Sequence, residues 1–288
     1  MNDPSKIQPL EADVRRHFDR AAPHFDDADM VHRVTGDGLL ERLLPMRLEA
    51  QRVLELGSAT GTLSRELARQ FRGCQVLSAD LSLNMLRRAR RQHPWFSKIR
   101  EIQASATRLP LPDNSVDVVI ANLLLPWLGP SPAALAEIAR VLRPEGLFAF
   151  ASLGPDSLGD LREAFADGHE HVNVFADMHD VGDALVRAGL RDPVLDVDRL
   201  ELTYRDTASL YRDLRHCGGN ALAGRRRTLT GKERFQRADQ ALQARFQDQQ
   251  LAVTLELVYG HAWGANVVRQ DGEFRVGIAE IRGRRRQP

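Results

Sequence analysis

The most regular pattern in this chain is the alternation of short apolar runs with longer stretches that are apolar only every third or fourth position. Apolar runs of strand length fall at 52–56, 75–79, 99–103, 116–121 and 146–152. Between and after them, helical spacing predicts helices at 61–70, 82–92, 131–142, 156–166 and 178–188, the last ending at Gly189. Such alternation predicts an α/β chain with a mainly parallel sheet covered by helices on both faces. Two helices, 11–25 and 30–46, precede it. Val14, Phe18, Ala21 and Phe25 share one face of the first, which Pro23 must bend or end. Arg143-Pro144-Glu145-Gly146 predicts a tight turn into the fifth strand. A sixth strand spans 194–203, with Leu195, Val197, Leu200 and Leu202 apolar.

Beyond this point the rhythm changes. Residues 206–248 read as helical pieces around a glycine-rich basic break, Gly218 to Arg227, with Gly218 and Gly219 placed as a hinge. Val253 to Tyr259 then alternates with the period of a strand. The expected organisation is a single domain over 1–288: N-terminal lid helices (11–46), a cofactor-binding core (51–203), a helical insertion (204–250), a last strand (251–264) and a tail (265–288). The ends, 1–10 and 282–288, are expected to be disordered.

Composition narrows the function. Of 288 residues, 43% are hydrophobic and 27% charged, as in an ordinary soluble globular protein. A formal net charge of +1 argues against bulk electrostatic binding to nucleic acid or an anionic membrane. The two cysteines, Cys74 and Cys217, have no metal-type spacing and suggest no disulfide framework. His17, His24, His169, His171 and His179 form no His-x-Asp or Cys-x-x-Cys arrangement, so no metal site is expected. With no apolar leader or membrane-length segment, a cytoplasmic location follows by elimination.

The chemistry sits after the first strand. Val53-Leu54-Glu55-Leu56 runs into Gly57-Ser58-Ala59-Thr60-Gly61, and Asp80 ends the second apolar run. This is the layout of a nucleotide-type site at the carboxyl edge of a parallel sheet. A dinucleotide fingerprint from Gly57 would require glycine at positions 59 and 62, where the chain has Ala59 and Thr62. An acid followed by glycines two and six residues later (Glu55, Gly57, Gly61) instead resembles the spacing of S-adenosylmethionine (SAM) methyltransferases. In that reading Asp80 accepts both ribose hydroxyls, and Glu55 orders the turn and the methionine amino group. Asn122, after the fourth strand, flanks the methionine moiety. Ser58, Leu81 and Ala106 complete the cofactor contacts.

Further phrases resemble one family. They are residues 14–40, Asn122 to Trp127, Leu153 to Leu158, His171 to His179, Tyr211 to Leu214, Arg225 to Gly231 and Tyr259 to Trp263. Together they are similar to the malonyl-acyl-carrier-protein O-methyltransferases of biotin synthesis, over about residues 13–264. The resemblance implies the class I methyltransferase fold, with a seven-stranded sheet whose last strand is antiparallel, and a malonyl-acyl-carrier protein or malonyl-CoA substrate. It also departs from that family. Ala59 and Ser105 stand where relatives usually have glycine and aspartate, the latter facing the adenine amino group, and Phe25 stands where tyrosine is common. Arg212 is the candidate grip on a substrate carboxylate, Trp127 and Phe25 are candidate walls of the reaction site, and Arg225, Arg226 and Arg227 are a candidate dock for an acidic carrier. A methyltransferase for another small acid, or a non-methylating assembly factor like the complex I arginine hydroxylase relatives, stays open on the residues alone.

Overall fold

The computed structural model describes residues 9–46, 48–166, 171–222 and 231–265. Arg225 to Arg227 and His169 lie outside the described residues. Chain order is α1 (Glu11–Ala21), α2 (Met30–Leu43), β1 (Arg52–Leu56), α3 (Thr62–Gln70), β2 (Gln75–Asp80), α4 (Leu83–Gln92), β3 (Ile99–Gln103), β4 (Val116–Asn122), α5 (Leu125–Leu128), α6 (Pro132–Val141) and β5 (Leu142–Leu153). Then come α7 (Gly159–Ala164), α8 (Met178–Arg187), β6 (Arg191–Tyr204), α9 (Thr207–His216), α10 (Lys232–Gln243) and β7 (Leu251–Trp263).

All seven strands join one sheet in the order β3-β2-β1-β4-β5-β7-β6. The first five run parallel, and β7 lies antiparallel to both β5 and β6. This is the class I methyltransferase architecture that the alternation and the resemblance together imply.

The central strands are apolar at nearly every position because both faces are covered. Val53, Val76, Val118 and Ile120 point to one face, where Leu39, Leu43, Leu63 and Leu67 from α2 and α3 cover them. Leu54, Leu77, Val119, Phe148 and Phe150 point to the other, beneath Leu135, Ile138 and Leu185 from α6 and α8. Each such side chain, once buried, contributes about 1.5–3 kcal/mol.

Several boundaries differ from the sequence reading. The first helix stops at Ala21, before Pro23, and resumes as a short 3-10 turn at Phe25–Asp27. The turn at Arg143–Gly146 is an irregularity inside β5: Val116 pairs with Leu142 but Val118 with Leu147, and Glu145 takes φ +61°. The helix expected at 156–166 is reduced to α7, whose preceding residue Leu158 sits at φ +58°. Strands β6 and β7 both extend beyond their alternating cores, because β7 pairs over nearly its whole length with β6. Helix α5 has no apolar periodicity to announce it, being a single turn with Pro126 in its first turn.

Candidate active site

The parallel strands end at one edge, and the turn after β1 is built there by backbone geometry. Gly57 and Gly61 both take positive φ, +73° and +76°. Those values suit glycine and would strain any other residue. Ala59, between them, also takes a positive φ, +46°. Its methyl does not face an open turn. It packs with Phe18 against the cluster of Ala21, Ala22, Phe25 and Met85, beneath the N-terminal segment.

Asp80 closes the turn from the next strand. Its Oδ2 accepts from Ala59 N at 2.9 Å and its Oδ1 from Ser82 N at 2.7 Å. Each carboxylate oxygen keeps a further lone pair for a ligand hydroxyl. Burial pushes the Asp80 carboxyl up to about 6, which leaves it mainly ionised at neutral pH. Glu55 is buried behind the turn and accepts from Ser64 Oγ, itself 3.0 Å from Ser78 Oγ. Burial pushes the Glu55 carboxyl up to about 8.

A pocket of about 230 Å³ opens over this turn, lined by Glu55, Gly57, Ser58, Ala59, Asn122 and Phe25. Ser58 Oγ and Asn122 Oδ1 are buried and find no hydrogen-bond partner among the described residues. Asn122 Nδ2 donates to the carbonyl of His32 at 2.8 Å. Next along the edge, a shallower pocket of about 390 Å³ is lined by Leu81, Gln103, Ala104 and Ser105. The turn Ser105-Ala106-Thr107-Arg108 is closed by Arg108 N donating to the Ser105 carbonyl at 3.1 Å. A left-handed turn, unpartnered buried acceptors and a strand-end carboxylate fit an amino acid joined to a nucleoside. They do not form a phosphate cradle.

Beside this edge lies a larger cavity of about 730 Å³, roofed by α9 and α10 and floored by β6 and β7. Its walls are mostly apolar: Leu123, Trp127, Leu202, Leu210, Val253 and Leu255. Trp127 is held edge-on against Phe18 of α1, ring centres 5.3 Å apart. Phe25 is buried, lines the smaller pocket over the turn and stands edge-on to His32 at 4.9 Å.

The sequence reading did not single out His32, which lines both cavities. Burial lowers its ring to about 4, so it is neutral at physiological pH. Nδ1 is shielded from solvent and unpartnered among the described residues. No local signal marks His32, which sits on a helix whose polar and apolar positions are poorly segregated. The structure places Arg212 differently from expectation. It is exposed on the outer side of α9, where Nη2 bonds Ser209 Oγ at 3.1 Å and Nε lies 3.7 Å from Asp213. Tyr211, Asp213, Leu214 and Arg215 line the cavity wall, and Arg212 is not among them. Leu210 and Leu214 face the cavity, and the arginine beside it is Arg215, three residues beyond Arg212. Among the described residues no three histidine, cysteine or acidic side chains converge as metal ligands.

Comparison with known proteins decides the family. Residues 54–150 match the model of a methyltransferase domain. The malonyl-acyl-carrier protein O-methyltransferase of Halorhodospira halophila is 43% identical over 95% of this chain and 96% of its own length. That of Laribacter hongkongensis is 45% identical over 87% of this chain and 88% of its own. The chain belongs to the malonyl-acyl-carrier protein O-methyltransferases. Solved structures agree on the fold of the family. YcgJ of Bacillus subtilis superposes with TM-score 0.58 at 16% identity, over 80% of this chain and 99% of its own. Phosphoethanolamine N-methyltransferase 2 of Haemonchus contortus, solved with S-adenosyl-L-methionine, gives 0.55 at 16% identity, over 88% of this chain and 60% of its own. As a methyltransferase of this family, the protein takes S-adenosyl-L-methionine as its cofactor.

Proposed function

We propose that the protein esterifies the free carboxylate of a malonyl thioester on acyl-carrier protein, in the cytoplasm, as a step of biotin synthesis. The observation that carries this reading is the juxtaposition of the two cavities at His32, with the apolar one reaching from Leu123 and Trp127 to α9. Bound SAM supplies an electrophilic methyl on its sulfonium. The rest falls to the chain's own side chains.

Seating is the first task. Ser58, Asn122 and Glu55 face the amino-acid end, and Asp80 faces the sugar. The acceptor comes from the other side. A carboxylate is already ionised at neutral pH, so no general base is required. What remains is to align one oxygen with the methyl group and exclude water. Trp127, Phe25 and Phe18 supply an apolar, largely closed wall for that purpose. The neutral imidazole of His32 donates one hydrogen bond to the acceptor carboxylate and leaves its second oxygen free to attack.

A cation must also offset the acceptor's charge. Arg212 was the expected grip, but among the described residues Arg215 is the arginine that lines the cavity, and we assign the contact to it. A volume of about 730 Å³ is far more than a malonyl group fills and suits its attached thioester arm as well.

The experiment is mass spectrometry of malonyl-acyl-carrier protein incubated with enzyme and SAM, beside malonyl-CoA and a succinyl thioester. A gain of one methyl on the malonyl carrier is expected. Its absence at high enzyme, with cofactor shown to be bound, would sink the activity. Arg215→Ala should lower kcat/KM by about 2–4 kcal/mol in transition-state terms, whereas Arg212→Ala should cost less than about 1 kcal/mol, as an exposed arginine does. The reverse order would restore Arg212 as the grip.

A further inference from the structure

The sheet order sets the ends of β1, β2 and β3 side by side, about 4.8 Å apart per strand. A ligand seated on the Gly57 turn and on Asp80 therefore continues onto the end of β3. The cavity there has Leu81 and Ala104 as apolar surface, and Ser105, Gln103, Arg108 and Glu11 as its polar groups. Ser105 is heavily engaged. Its Oγ accepts from Thr107 N at 3.2 Å and lies 2.8 Å from Thr107 Oγ1. Its single proton goes to Glu11 Oε2, at 2.7 Å. A hydroxyl used in this way has little left to offer a ligand amine.

Glu11 differs in this respect. It stands in the first turn of α1, far from Ser105 in sequence, and reaches the β3 edge only because α1 lies across it. A carboxylate has two oxygens and about four lone-pair sites, and the Ser105 hydroxyl occupies one of them. The remainder face a cavity that needs an acceptor if an aminopurine is to lie in it.

Resting on the cofactor assignment above, we infer that Glu11 reads the exocyclic amino group of the adenine ring. The Ser105 hydroxyl, donating to Glu11 Oε2, orients it. Recognition of the purine is tied to the docking of α1, since the acceptor arrives with that helix.

The rival explanation is that the Glu11–Ser105 contact merely fastens α1 to the core. Calorimetry with two ligands separates them: S-adenosylhomocysteine, and S-inosylhomocysteine, in which a carbonyl replaces the amino group. The wild-type protein should prefer the adenosyl ligand by about tenfold or more, the scale of a lost hydrogen bond to a charged acceptor. Glu11→Ala should weaken adenosyl binding by about that factor, leave inosyl binding nearly unchanged and so collapse the preference. Glu11→Gln, which keeps one acceptor oxygen, should fall between. Adding Ser105→Asp to Glu11→Ala should restore the preference. An unchanged ratio in Glu11→Ala, or equal loss of both ligands, overturns the assignment in favour of simple fastening. A wild-type protein that binds neither ligand overturns the cofactor reading itself, which is a different result.

Discussion

At the scale of single residues, the turn after β1 holds a local contradiction. Ala59 occupies a left-handed conformation, at φ +46°, that favours glycine. Yet its methyl packs on the N-terminal cluster. The strain costs about 1 kcal/mol, and the lost methyl contact offsets it only in part. Ala59→Gly is therefore expected to raise thermal stability or leave it level, and to hold or improve cofactor affinity. A clear loss of affinity by calorimetry would show that the turn has been rebuilt around alanine. Asp80→Ala removes the acceptor of two backbone bonds of the turn and the proposed ribose acceptor. It should weaken SAM binding by about 2–3 kcal/mol, and unchanged affinity would rule out the ribose assignment. Glu55 gives the pH dependence. Its carboxyl, at about 8 against an ordinary 4.5, keeps a proton in the folded chain that the unfolded chain gives up. Without cofactor, stability should therefore fall as pH rises from about 4.5 to about 8. A cationic ligand favours the ionised form, so SAM should bind more tightly as pH rises towards 8, with proton release on binding. Titration in buffers of different ionisation enthalpy measures that release, and Glu55→Gln should abolish it.

At the scale of elements, the two candidate lid segments meet each other as well as the core. Phe18 of α1 lies against Gly218, just beyond α9, and a Cβ on that glycine would fall 2.8 Å from the ring. His24 and His216 stack at 4.9 Å, bringing the same two segments together. Helix α1 is also tied to the core, through Asp19 accepting from Ser82 Oγ at 2.6 Å, and the adjoining turn through Asp26 paired with Arg88 at 2.8 Å. The geometry places a wall against a wall, with Trp127 in the lining of the larger cavity edge-on to Phe18 of α1. Gly218 takes φ +76° as well. Gly218→Ala should therefore destabilise the protein by about 1–3 kcal/mol and loosen α1, read as faster amide exchange in residues 11–21. Cofactor should slow exchange in α1 and α9 together. Equal protection with and without it would argue for a fixed wall in place of a closing lid.

At the scale of the whole molecule, what was legible in the sequence was what repeats along it. The core strands announce themselves because each is apolar on both faces, and Glu55, Gly57, Gly61 and Asp80 because the site is assembled from consecutive strand ends. What was not legible was assembled across distance. Glu11 reaches Ser105, His32 bridges two cavities, and the exposed Arg215 lines the larger cavity where Arg212 does not, none of which leaves a local signature. The position of β7 carries a consequence of its own. The turn at Gly57, the carboxylate of Asp80 and the N-terminal cluster all come from the first half of the chain. The floor of the larger cavity needs Val253 and Leu255, from a strand wedged between two that precede it. On the ribosome, the proposed donor's seat is thus complete long before the proposed acceptor's room has a floor. Until that strand emerges, β5 and the much later β6 each present an open hydrogen-bonding edge with no neighbour between them. The nascent chain is therefore most vulnerable to wrong partners in the interval between translating residue 204 and residue 251.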